Sequence, residues 1–174
     1  MTGTRILMLA MGGLVSATAA CSDDDDGGAG PATEFVALLT GEEEVPAVLT
    51  DATGSATLSA ADDQITYTLN VTDLANAVFA HIHVAPEGQN GPVRLNLCGT
   101  GAPQPACTSG TGVLATGTNG TTVGTPAITF DDLVEAMRSG DAYVNVHTDD
   151  GAGAQNTGPG DMIGGEIRGQ VVEE

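Results

Sequence analysis

The stretch Ala77-Val-Phe-Ala-His-Ile-His-Val-Ala85 alternates in character residue by residue from Ala80 to Val84. Side chains alternate across a β-strand, so Ile82 and Val84 face one way and His81 and His83 stand side by side on the other face. The third and last histidine, His147, lies in a second alternating run, Tyr143-Val-Asn-Val-His-Thr148. Both runs predict strands with an apolar face opposite a histidine face.

Working outward, short β-branched runs recur between glycine, proline, asparagine and aspartate. Phe35-Val-Ala-Leu-Leu39 predicts a first strand, followed by the acidic connection Gly41-Glu-Glu-Glu-Val-Pro46. Gly54-Ser-Ala-Thr-Leu58 and Gln64-Ile-Thr-Tyr-Thr-Leu-Asn-Val71 flank the turn Ala61-Asp-Asp63, which predicts a hairpin with Ile65, Tyr67, Leu69 and Val71 on one face. Val93 to Leu97 and Gly165 to Val171 read as further strands, whereas Gly112 to Gly124, rich in glycine and threonine, reads as a weak hairpin or a loop. One short surface helix is expected: Phe130, Leu133, Val134 and Met137 share a helical face, with Thr129 as N-cap and Gly140 as stop. With 25 glycines and 3% aromatic residues, the pattern is all-β, a sandwich or barrel of short strands.

With 23 acidic residues against 4 arginines and no lysine, the net charge is -19. Such a chain repels nucleic acid and anionic membrane surfaces and accepts cations. No phosphate-cradling glycine loop with lysine, no G-x-S-x-G elbow and no H-E-x-x-H pair occurs. The acids Glu42 to Glu44 read as a solvated turn.

Residues 1–20 read as a secretory signal peptide, with Arg5, the apolar run Ile6 to Val15 and small residues before Cys21. That junction resembles a bacterial lipobox, with Thr18 where leucine is usual. Lipidation of Cys21 would anchor an exported protein to a membrane of the cell envelope. Cleavage after Ala17-Thr-Ala19 would instead give a freely secreted or periplasmic chain. Residues 21–33, with the run Asp23 to Asp26, read as an acidic flexible tether. Setting Cys21 aside leaves Cys98 and Cys107 as a local disulfide, or as free thiols or metal ligands.

The ordered set Gly41-x-x-Glu44-Val-Pro46, His81-Ile-His83 with Gly91-Pro-Val93, Tyr143-Val-Asn-Val-His-Thr148 and Gly165-Glu-Ile-Arg-Gly-Gln170 resembles the CHRD domain. That domain was first noticed in chordin and recurs in bacterial exported proteins. The resemblance covers residues 34–172. It departs from the usual pattern at Glu43 and Ala47, in the length of the loop after Thr148, and in the inserted cysteine segment. It implies an immunoglobulin-like Greek-key β-sandwich or barrel and little defined chemistry.

Two imidazoles at i and i+2 can set their nitrogens around one ion, and His147 from a neighbouring strand completes a three-histidine set for copper or zinc. Alternatively, the three rings form a polar patch or hydrogen-bond the neighbouring loops. Asn145 lies on the His147 face and is a candidate to orient it. Glu166 and Arg168 share a face of the last strand, as an ion pair or as hydrogen-bonding groups that fix the histidine strands. Asp149 to Asp161 reads as a flexible solvated loop; its carboxylates suit calcium but lack EF-hand spacing. The chain therefore reads as a non-enzymatic binding or envelope module, with a mononuclear copper or zinc protein as the alternative.

Overall fold

The computed structural model describes residues 32–99 and 104–174. The expected signal peptide, the lipidation site Cys21 and nearly all of the tether lie outside the described residues. Among the described residues nine strands form one antiparallel sheet: β1 Thr33–Thr40, β2 Thr53–Ala61, β3 Gln64–Leu74, β4 Ala77–Val84, β5 Val93–Cys98, β6 Gly110–Asn119, β7 Ala142–Thr148, β8 Ile167–Gln170 and β9 Val172–Glu173. One helix, α1 Phe130–Arg138, lies between β6 and β7. Among the described residues no helix is long and apolar enough to cross a membrane.

The strand order is β5-β4-β7-β8-β1-β2-β3-β6, with β9 added to β1. The junction of β8 and β1 is narrow, a single paired position at Thr40 and Arg168, so the sheet folds there into two four-stranded halves. The outer edges return toward each other: Asn119 of β6 donates to the Asn96 carbonyl of β5 at 2.9 Å, and the Tyr67 hydroxyl donates to the Leu97 carbonyl. The result is a nearly closed all-β sandwich.

Alternation decides which face is core. Phe35, Ala37 and Leu39 of β1, Ile65, Tyr67, Leu69 and Val71 of β3, Ala80 and Ile82 of β4, and Val144 and Val146 of β7 are buried together. The β2–β3 turn works because Asp62 and Asp63 both take positive φ, 52° and 58°, the backbone of a two-residue hairpin whose twist matches its strands. α1 closes one side of the core with Leu133, Val134 and Met137. Its first turn is a capping box, in which the Thr129 hydroxyl accepts from Asp132 N and Asp132 accepts in return from Thr129 N.

Two expectations need correction. Gly112 to Gly124 is neither hairpin nor loop over most of its length, because β6 is one strand on the edge beside β3, from Ile65↔Asn119 to Leu74↔Gly110. Its threonines face water, Gly110 and Gly112 stand exposed and only Gly117 lies against the Tyr67 ring, so little hydrophobic periodicity shows. The loop after β7 is exposed as expected over 150–157, but Asp161 is only 4% exposed.

Cys98 and Cys107 form a disulfide, with Cα atoms 5.2 Å apart and Cys98 in the core. Closing so short a loop stabilises the fold by about 2–3 kcal/mol in the chain-entropy account. Reduction is expected to lower the unfolding free energy by that amount and with it the denaturation midpoint, and an unchanged midpoint after complete reduction would contradict it.

Candidate metal centre

β4 and β7 are neighbours, paired His81↔Asn145 and His83↔Tyr143 with Phe79↔His147 beyond. Because Ile82, Val144 and Val146 fill the core, the alternate residues project from the outer face of this half of the sandwich. All three imidazoles meet there, with ring centroids 5.0 Å apart for His81 and His147, 5.7 Å for His81 and His83, and 5.8 Å for His83 and His147. The face is not solvated, since His83 and His147 are each only 8% exposed. The β1–β2 connection and the loops 86–92 and 149–165 cover it.

Those loops orient two of the rings. His83 Nδ1 lies 2.9 Å from the Gly91 carbonyl and His147 Nδ1 lies 2.9 Å from the Ile163 carbonyl. A carbonyl only accepts, so each Nδ1 carries the proton and each Nε2 keeps a free lone pair. His83 Nε2, His147 Nε2 and His81 Nδ1 are buried without any hydrogen-bond partner. One ring nitrogen from each histidine lies within 4.8 Å of the others. The tetrahedral nitrogens of a zinc site sit roughly 3.3 Å apart for bonds of about 2.0–2.1 Å, so closing on an ion needs only small side-chain rotations. The two alternatives read from sequence are therefore compatible: His83 and His147 do hydrogen-bond neighbouring loops, through the nitrogens a metal would not use.

The surrounding residues hold the covering loops. Arg168, 1% exposed, donates from Nη1 to the Gln89 carbonyl at 3.2 Å and Asn90 Oδ1 at 3.1 Å, and its guanidinium carbon lies 4.1 Å from the centre of the Tyr143 ring. Tyr143 stacks on His83, with centroids 4.9 Å apart, and its hydroxyl accepts from Gly91 N at 3.1 Å. Arg168 thus steadies the loop that presents the Gly91 carbonyl to His83. A side chain at Gly91 would collide with the Val84 carbonyl, so glycine is what lets this loop lie against β4.

Glu166 and Arg168 do not pair with each other. Glu166 Oε1 accepts from Thr50 Oγ1 at 2.8 Å, and Oε2 accepts from Thr148 Oγ1 and Gly160 N, each at 2.7 Å. Those bonds join the β1–β2 connection, the end of β7 and the β7–β8 loop, and leave the carboxylate occupied. Asn145 does not orient His147 either; its amide approaches Glu44 Oε2 at 3.5 Å.

Glu44 is the residue that sequence reasoning misplaced. Glu42 and Glu43 are exposed as a solvated turn requires, but Glu44 is 6% exposed, with Oε1 unpartnered. Burial pushes its carboxyl up to about 7, against the pull of Arg168 and the Asn145 hydrogen bond. It lines a cleft of about 550 Å³ with Val45, Asn90, Met162 and Gly164. Gly165, at φ 127°, passes so close that a Cβ there would lie 2.6 Å from Glu44 Oε1 and Asn145 Oδ1. The Gly-x-x-Glu-Val-Pro motif was the available clue, because its glutamate stands apart from the two acids before it.

Burial, reinforced by the mutual proximity of the rings, pushes His81 down to about 3. Burial also lowers His147 to about 4, against its bond to Ile163, and lowers His83, against its bond to Gly91. The rings are thus neutral at physiological pH. The unfolded chain takes up these protons near 6.5, before the folded one does, so stability falls as pH drops below 6.5 toward 3. Glu44 has the opposite sign: its proton is bound in the folded state from 4.5 to about 7, a stabilisation lost as pH rises through that upper value. Three groups outweigh one, so chelator-treated protein is expected to lose denaturant resistance between about pH 6 and pH 4. A midpoint that climbs steadily across that interval would contradict this assignment.

The structure is an antiparallel all-β sandwich with buried polar groups on a loop-covered outer face. The family model of the CHRD domain matches residues 35–155, and the chain belongs to the CHRD domain family. Comparison with curated proteins and with solved structures finds no match.

Proposed function

We propose that this CHRD domain is an exported, envelope-anchored binding module whose ligand is one copper or zinc ion held by His81, His83 and His147. The observation that carries the reading is the set of three buried, unpartnered ring nitrogens, two of them on rings already oriented by backbone carbonyls. Ligating histidines characteristically donate their other N–H to such a group. An unsatisfied buried acceptor costs free energy, and an ion bound by the three lone pairs would remove that cost. Three neutral imidazoles without a thiolate suit both metals, and the general affinity order favours copper(II).

Export and anchoring are supported by Arg5, the apolar run Ile6 to Val15 and the small residues before Cys21, and by the Cys98–Cys107 disulfide, which persists in oxidising compartments. The test is metal analysis of native protein purified without a histidine tag, with mass spectrometry of its N-terminus. One equivalent of copper or zinc and a lipid-modified Cys21 are expected. Protein that takes up neither metal stoichiometrically would refute the metal reading, and an unmodified chain starting at Ala20 would refute the anchor.

A further inference from the structure

The loop between β7 and β8 contains a second set of convergent ligands with different chemistry. Asp149, Asp150 and Asp161 each place a carboxylate oxygen within 4.8 Å of the other two. Oxygens bound to one calcium ion lie at most about 4.6–5.2 Å apart, when opposite, and closer otherwise, so a mutual spacing within 4.8 Å is compatible with a common ion of that size. Asp161 supplies the observation that acidic clustering alone would not. It is 4% exposed, its Oδ2 accepts from the amide and hydroxyl of Thr157 at 3.1 and 2.5 Å, and its Oδ1 is buried with no partner.

A desolvated carboxylate oxygen needs a cation or a donor. Among the described residues nothing supplies either to Asp161 Oδ1. The one ion pair among the described residues is Arg138 with Glu173 at the far side of the sheet. Arg94 and Arg168 direct their bonded Nη1 atoms to Pro126, and to Gln89 and Asn90. The chain has no lysine to substitute. Charge compensation must then come from solution, and an all-oxygen donor set selects a hard cation over copper or zinc.

We infer that Asp149, Asp150 and Asp161 form a calcium site that ties the start of this loop to its end. The site is separate from the three-histidine centre but mechanically next to it. Beyond Asp161 the same segment supplies the Ile163 carbonyl to His147, while Met162 N donates to Thr148 Oγ1 at 2.9 Å and Gly160 N to Glu166. Calcium therefore holds in place the backbone that orients His147.

The test uses the full chain after chelator treatment, titrated with CaCl2 or with MgCl2 at matched ionic strength, with thermal midpoint and calorimetric heat as readouts. Calcium is expected to raise the midpoint with half-effect at about 0.1–1 mM, the range of extracellular calcium modules. Magnesium should do little. Asp150 is exposed, so Asp150→Asn leaves the fold intact and is expected to shift the half-effect at least tenfold; Asp161→Asn should abolish the response where that variant folds. His83→Ala should respond as wild type does, which separates this site from the histidine centre. No calcium-specific rise, or an unchanged response in Asp150→Asn, overturns the proposal.

Discussion

His147→Ala is expected to weaken copper or zinc binding by more than about 100-fold, since loss of a supporting partner alone typically costs 10–100-fold and this change removes a ligand. His147 projects away from the core side of β7, where Val144 and Val146 pack, so the variant should keep its fold. His83→Ala should behave in the same way. Competition with a chromophoric chelator at high salt is the suitable measurement, because a chain of net charge -19 also attracts divalent ions diffusely and salt screens that attraction. Variants that retain wild-type affinity would place the metal elsewhere or nowhere. Arg168→Met gives a graded companion: Arg168 touches no histidine nitrogen but holds Gln89 and Asn90 beside Gly91, so its loss should fall within the 10–100-fold range.

Glu166→Ala is expected to destabilise the protein by about 3–5 kcal/mol, from three donors at about 1–3 kcal/mol each when left unsatisfied, less what water recovers at the half-buried Thr50. For a domain of this size that is a fall of roughly 6–20 °C in thermal midpoint. Glu166→Gln discriminates the cause. The Thr50 and Thr148 hydroxyls can reverse their roles to suit an amide, whereas Gly160 N must still find an acceptor, so glutamine should cost about 1–2 kcal/mol. Equal losses in both variants would point to the charge of Glu166 rather than to its acceptor geometry. A loss below about 1 kcal/mol for alanine would remove Glu166 from the set of groups holding the loops together.

Local periodicity made most of the strands legible. In β3 and β4 every second residue is apolar, and a period of two has only one reading on a half-buried sheet. The helix was equally plain, with its cap and apolar face written into consecutive residues. β6 was not, because an edge strand of glycine and threonine owes its conformation to pairing with β3 rather than to its own side chains. Glu44 was hidden for a related reason. Only its place in the Gly-x-x-Glu-Val-Pro motif sets Glu44 apart from Glu42 and Glu43 in sequence, and its burial is decided when Gly165 and Asn145 are brought against it.

The histidines show where the division falls. Alternation in Ala77 to Ala85 and Tyr143 to Thr148 was sufficient by itself to put His81, His83 and His147 on faces opposite the core, since side-chain direction along a strand is a property of the backbone alone. Whether those faces meet, and whether they are wet, is decided by β4 pairing with β7 and by three loops folding over the outside. Only the loops deliver the Gly91 and Ile163 carbonyls that take the Nδ1 protons and leave the facing nitrogens bare. Those contacts span 8 and 16 residues of chain through loops, beyond the reach of strand alternation, and a hydrogen bond depends on distance in space.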